Sequence, residues 1–126
     1  MSLFNSKLAV SVFLVVLASV SWSTAVAQGT QAGEIRGTVS DSTGALIQGV
    51  KVTITNINTG INLTATSDAS GVYDMPYVQP GQYTVTFVKS GFKTLVRSGI
   101  TLYLNTATIN ATLEVGAVAE KVSVTA

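Results

Sequence analysis

From Glu34 onward, apolar and polar residues alternate with a period of two, and this pattern restricts the fold more than any other feature of the chain. Val50, Val52 and Ile54 alternate with Lys51, Thr53 and Thr55; Tyr83, Val85 and Phe87 with Thr84 and Thr86; Ile109, Ala111 and Leu113 with Asn110 and Thr112. Side chains on a strand point alternately to opposite faces, so each run puts one row into a core and the other into water. Turn signals cut the region at short intervals: Asp41-Ser42-Thr43-Gly44, Asn58-Thr59-Gly60, Asp68-Ala69-Ser70-Gly71, Gln79-Pro80-Gly81 and Lys89-Ser90-Gly91. Each sets a glycine, which accepts positive φ at little cost, after residues whose side chains bond to nearby backbone. Asp41, Gly44, Asp68, Gly71, Pro80 and Gly81 are therefore read as turn-forming residues. The pattern predicts strands at 34–40, 49–56, 61–67, 72–76, 82–88, 92–97, 100–104 and 107–115, and no amphipathic helix. That is an all-β, antiparallel sandwich of seven to eight strands.

Ahead of this region the chain has a different character. Lys7 precedes an uncharged stretch from Leu8 to Ala18, and Ala25-Val26-Ala27 supplies the small residues that a signal peptidase requires before its cut. Residues 1–27 are expected to be a cleavable signal peptide and 28–33 a flexible leader. The apolar core is about half of the roughly 20 residues needed to cross a bilayer as a helix, so no transmembrane segment is expected in the mature chain. Lys7 leaves with the leader, and the remaining chain then balances its basic and acidic residues. A neutral chain with dispersed charge offers no electrostatic reason to bind nucleic acid.

The residue inventory bears on chemistry. The chain has no cysteine and no histidine. Disulfides, thiolate metal sites and cysteine nucleophiles are thereby excluded, as is the usual general base of a serine triad. The carboxylates Glu34, Asp41, Asp68, Asp74, Glu114 and Glu120 are scattered. A paired-carboxylate hydrolase needs two of them flanking one bond, and Asp41 and Asp68 are accounted for by their turns. No catalytic residue, metal site or cofactor is expected. Among the aromatics, Tyr83 and Phe87 belong to an inward row, leaving Tyr77 and Tyr103 as possible ligand contacts on the surface. Asn62 and Asn110 begin N-x-S/T sequons, which matter only in a host that glycosylates.

The order of motifs carries more information than any one of them. Gly37-Thr38-Val39-Ser40-Asp41-Ser42-Thr43-Gly44 is followed by Gly49-Val50-Lys51-Val52-Thr53-Ile54, Asn58-Thr59-Gly60, Thr66-Ser67-Asp68-Ala69-Ser70-Gly71-Val72-Tyr73, Pro80-Gly81-Gln82-Tyr83-Thr84-Val85 and Gly91-Phe92. This series resembles a carboxypeptidase regulatory-like domain, a small transthyretin-like sandwich of the carbohydrate-binding-like fold, over residues 34–115. Ala45-Leu46-Ile47 stands where that pattern often has a proline. Residues 116–126, a tail or a truncated linker, resemble the junction through which such a domain leads into the plug of a TonB-dependent outer-membrane receptor. A further strand around 121–124 is also compatible with the alternation there. The resemblance implies a non-catalytic exported interaction module, the periplasmic N-terminal extension of such a receptor or a fragment of one. It would work in the periplasm, the outer membrane or the cell surface of a Gram-negative bacterium, on a protein partner of the cell envelope. Two alternatives stand beside it: a carbohydrate-binding module with a glycan as partner, and an accessory domain of a peptidase encoded elsewhere.

Overall fold

The computed structural model describes residues 31–126, so the expected signal peptide and the first residues of the leader lie outside the described residues. Among the described residues nine strands follow one another: β1 (Gly33–Asp41), β2 (Lys51–Asn56), β3 (Asn62–Thr66), β4 (Val72–Val78), β5 (Gly81–Val88), β6 (Thr94–Leu102), β7 (Thr106–Thr108), β8 (Ala111–Leu113) and β9 (Lys121–Thr125). They form two sheets. One has the order β4-β1-β7, with β8 also paired to β1; the other has the order β3-β2-β5-β6-β9. Among the described residues no helix is long and apolar enough to cross a membrane.

The alternating rows become the core between the sheets. Val50, Val52, Ile54, Val85 and Phe87 are fully buried, and Tyr83, Ile109, Ala111 and Leu113 nearly so. The first sheet, to which Ala111 and Leu113 belong, also contributes Ile35, Val39, Tyr73, Met75 and Val78, and these face the rows of β2 and β5. Burying each such side chain contributes about 1.5–3 kcal/mol. Tyr73 packs edge-on against Phe87, with ring centroids 5.7 Å apart and planes at 74°. Its hydroxyl reaches through the core and donates to the Ile109 carbonyl.

Two elements depart from the strand boundaries that turn signals suggest. Residues 92–97 and 100–104 form one strand, β6, because Gly99 makes a bulge rather than a turn. Tyr83 faces Ile100 and Val85 faces Arg97, so two residues of β6, Ser98 and Gly99, oppose Thr84 alone on β5, and Gly99 takes φ of 74°. Conversely, the expected strand 107–115 is split into β7 and β8. Both run parallel to β1, with a constant offset from Arg36↔Thr108 to Val39↔Ala111. At the interruption the Asn110 side chain takes over from the ladder, accepting the Thr38 N–H at 3.0 Å and the Thr38 hydroxyl at 3.2 Å. Ile109 N–H donates to the Arg36 carbonyl at 2.8 Å. Close approach to this segment requires a residue without a side chain at 37: a Cβ on Gly37 would lie 2.0 Å from the Ile109 carbonyl oxygen.

The last residues extend the second sheet. β9 pairs in parallel with β6 from Thr94↔Lys121 to Ser98↔Thr125. The connection is fastened by buried Thr94, whose N–H donates to Glu120 O at 2.8 Å and whose hydroxyl donates to Val118 O at 2.7 Å. Lys93 sits between Glu114 and Glu120, 3.6 Å from each carboxylate. The segment 116–126 is thus part of the sandwich, and three pairings of the all-β fold run parallel: β1 with β7, β1 with β8 and β6 with β9.

Candidate functional site

The strands run so that three connections share one end of the sandwich: 57–61 between β2 and β3, 79–80 between β4 and β5, and 103–105 between β6 and β7. The first is an asparagine-capped turn, in which Asn56 Oδ1 accepts the N–H groups of Asn58 at 2.9 Å and Thr59 at 3.1 Å. In the second, the Tyr83 hydroxyl donates back to the Gln79 carbonyl at 2.6 Å. These bonds fix the loop backbones to the strands beside them.

At this end the edge strand β4 is irregular. Gly33 pairs with Val78 but Ile35 with Met75, so two residues of β4, Pro76 and Tyr77, face Glu34 alone on β1. Proline has no N–H for a ladder, and a bulge turns an edge away from further pairing. Tyr77 absorbs the bend with φ of 59°, the one non-glycine residue with positive φ among those described. For a bulky side chain this conformation costs about 1–3 kcal/mol. The side chain recovers little of that through packing, since Tyr77 is 84% exposed.

Tyr77 stands between two clefts. One, of about 270 Å³, is walled by Ile61 and Leu63 of the β3 region and by Tyr83, with Asn56, Thr59 and Gln79 as its polar groups. The other, of about 350 Å³, lies toward Gly33, Glu34 and Thr106. Tyr103, the second tyrosine singled out by sequence, is 67% exposed at the same end but lines neither cleft. The exposed apolar side chains Ile57, Ile61 and Leu63 were not singled out by sequence. Their signal was available as apolar residues flanking a turn, where solvent-facing positions are expected to be polar.

The aspartates Asp41 and Asp68 lie at the opposite end, each closing its own turn. Asp41 Oδ1 accepts Thr43 N–H at 2.8 Å, Thr43 Oγ1–H at 2.6 Å and Ala45 N–H at 3.1 Å. The Thr43 hydroxyl and then its amide, bonded to the ionised form, hold the Asp41 carboxyl below the usual range. Asp68 Oδ1 accepts Ser70 N–H at 2.9 Å and Val72 N–H at 3.0 Å. Gly44 and Gly71 follow with φ of 87° and 69°, and Gly81 follows Pro80 at the start of β5. Buried Ser67, which sequence reasoning passed over, braces the same end: its hydroxyl donates to Ile47 O at 2.8 Å and accepts Val50 N–H at 2.9 Å. Among the described residues no three His, Cys, Asp or Glu side chains converge as a metal-binding group.

One carboxylate pair is assembled by the sheet rather than by sequence spacing. Glu34 and Asp74, on neighbouring strands β1 and β4, come within hydrogen-bonding reach, with Arg36 3.9 Å from Glu34. The bond to Asp74, ahead of desolvation, raises the Glu34 carboxyl above its ordinary value. Carboxyls that flank a glycosidic bond stand about 5–9.5 Å apart. Glu34 and Asp74, within hydrogen-bonding reach of each other, are closer than that spacing. The sequon side chains are also engaged: Asn62 Oδ1 accepts the Thr55 hydroxyl at 2.6 Å, and Asn110 Oδ1 holds Thr38.

Comparison with known proteins agrees with this architecture. A TonB-dependent transporter, Oar, of Myxococcus xanthus is 38% identical over 96 residues, which is 75% of this chain and 9% of the transporter. The chain therefore matches a small part of that relative's length. Among solved structures, a chain of a type II cohesin-X-dockerin complex from Acetivibrio cellulolyticus superposes with a TM-score of 0.56 at 21% identity, covering 68% of this chain and 59% of that one. A Bacteroides uniformis protein provisionally described as carbohydrate binding gives 0.57 at 18% identity, covering 67% and 42%. BcpA, the major pilin subunit of Bacillus cereus, gives 0.54 at 17%, covering 68% and 31%. At these identities the structural matches speak for the fold alone. The family model of the carboxypeptidase regulatory-like domain matches residues 34–114, from the first core strand through β8. With that match across the sandwich, the chain belongs to the carboxypeptidase regulatory-like domain family.

Proposed function

We propose that this chain is a non-catalytic interaction module of the Gram-negative cell envelope, the exported N-terminal extension of a TonB-dependent receptor or a fragment of one. The observation that carries the reading is the 38% identity to a TonB-dependent transporter over most of the sandwich. The chemistry of the fold is in keeping with it. The aspartates Asp41 and Asp68 are spent on turns, and Glu34 and Asp74 lie closer together than a pair of hydrolase carboxyls. What the molecule offers to other molecules is surface: loops at the Tyr77 end and an open sheet edge at β9. Such edges and loops recognise partners without chemistry.

The test is to express the chain from Met1 with a C-terminal tag in a Gram-negative host. Fractionation and N-terminal sequencing should find it beyond the inner membrane, beginning at Gln28. Site-specific crosslinking should then join it to an outer-membrane receptor. An unprocessed cytoplasmic product, or an exported one that crosslinks to no envelope protein, would overturn the proposal.

A further inference from the structure

Tyr77 is a costly residue for the place it occupies. A bulge on an edge strand is ordinarily built with glycine, or with asparagine, where φ is positive. Here the position holds an aromatic ring that is 84% exposed. Neither backbone preference nor burial explains a tyrosine there, and strain of this kind gathers at binding sites. Tyr77 lines the 270 Å³ cleft together with Ile61 and Leu63.

The rest of the lining indicates what the cleft suits. Besides the two tyrosines, its polar lining residues are Asn56, Thr59 and Gln79, and no residue lining it is charged. A cleft without charge has nothing to offset the desolvation of an anion or a cation. The Asn56 amide is oriented by its own turn: Oδ1 faces the Asn58 and Thr59 N–H groups, and Nδ2 lies beside Gly81. The site thus combines an aromatic surface and aliphatic walls with neutral amide and hydroxyl groups around them. A pyranose ring has the complementary form, an apolar C–H face bordered by hydroxyls that both donate and accept.

From this geometry we infer that the Tyr77 cleft binds a neutral saccharide, with the tyrosine ring against the sugar face and Asn56, Thr59 and Gln79 meeting its hydroxyls. This goes beyond the envelope-module reading, which survives if the cleft binds no sugar.

The experiment titrates the full chain, by calorimetry and by amide NMR shifts, with maltohexaose, cellohexaose and xylohexaose. An oligogalacturonate and an uncharged extended peptide serve as comparison ligands. Saturable binding of at least one neutral oligosaccharide is expected, with shifts centred on Thr59, Tyr77 and Gln79. Tyr77→Gly should weaken it by about tenfold or more, while the melting temperature holds or rises because the strain is relieved. Tyr103→Ala, outside the cleft, should leave affinity unchanged. The inference is overturned if no neutral oligosaccharide binds saturably, if oligogalacturonate binds equally well, or if only the peptide binds. It is overturned too if Tyr77→Gly lowers the melting temperature, which would make the ring a structural element.

Discussion

Gly37→Ala tests how far stability depends on the close contact between β1 and the β7–β8 segment beside it in the first sheet. The added methyl would lie 2.0 Å from the Ile109 carbonyl oxygen, 2.6 Å from its carbon and 3.0 Å from the Tyr73 hydroxyl. Carbon and oxygen rest in contact no closer than about 3.3 Å, so the segment must withdraw by more than about 1 Å. Withdrawal breaks the bond from Tyr73 to Ile109 and strains that from Ile109 N–H to Arg36 O. Overpacking costs about 1–3 kcal/mol, and a buried hydroxyl without its acceptor about 1–3 kcal/mol more. The sum, about 2–6 kcal/mol, is a large part of the 5–15 kcal/mol typical of a small domain. Urea unfolding followed by far-UV circular dichroism should show a lower midpoint at unchanged slope, or no folded baseline at all. Tyr73→Phe alone removes the hydroxyl and should cost about 1–3 kcal/mol. Since both changes break the same bond, the double variant should lose less than the sum of the singles. A Gly37→Ala midpoint equal to that of the parent, or strictly additive losses, would refute the reasoning.

Three further outcomes follow from the same structure. Glu34 holds its proton more tightly when folded, so its contribution to stability is present at low pH and is lost as pH rises past the ordinary 4.5 through the higher folded value; Asp41, held low, contributes above the ordinary 3.8 and loses that contribution as pH falls through its folded value. Glu34→Gln should therefore remove the part of the fall in denaturation midpoint that occurs as pH rises above 4.5, and Asp41→Asn the part that occurs as pH drops below 3.8, and unchanged profiles would contradict these assignments. Ser67→Ala should destabilise by about 1–3 kcal/mol in urea titration, because Val50 N–H and Ile47 O lose the hydroxyl that serves both, and a loss below about 0.5 kcal/mol would show that the loop closes without it. Amide exchange should be faster in β9, an exposed edge strand, than in β5 at the centre of the same sheet; equal protection would mean that β9 opens only with the whole domain.

Much of the fold is legible in the chain because period-two alternation acts residue by residue. The inward rows of β2, β5 and β8 occupy the core in the order in which they are written. Glycine is harder to read. At Gly99 and Gly44 the sequence shows the same tolerance of positive φ, yet one makes a bulge inside β6 and the other closes a turn after β1. Which occurs depends on whether a partner strand continues past the bend. Likewise Asn110 alternates like any strand residue, and only its proximity to Thr38, 72 positions away, makes it the point where the strand breaks.

The candidate site divides along the same line. Sequence alone determined that the chain has no thiol or imidazole chemistry, that its cores are β rows and that Tyr77 lies outside those rows, because composition and alternation are properties of neighbours in the chain. Tertiary structure decided what required distant strands to meet. It paired Glu34 with Asp74, laid the tail on β6 as β9, and set Tyr77 in a strained bulge beside Ile61 and Leu63 while leaving Tyr103 apart. Strand register and loop packing place those groups in space, and they depend on long-range pairing that no local pattern encodes.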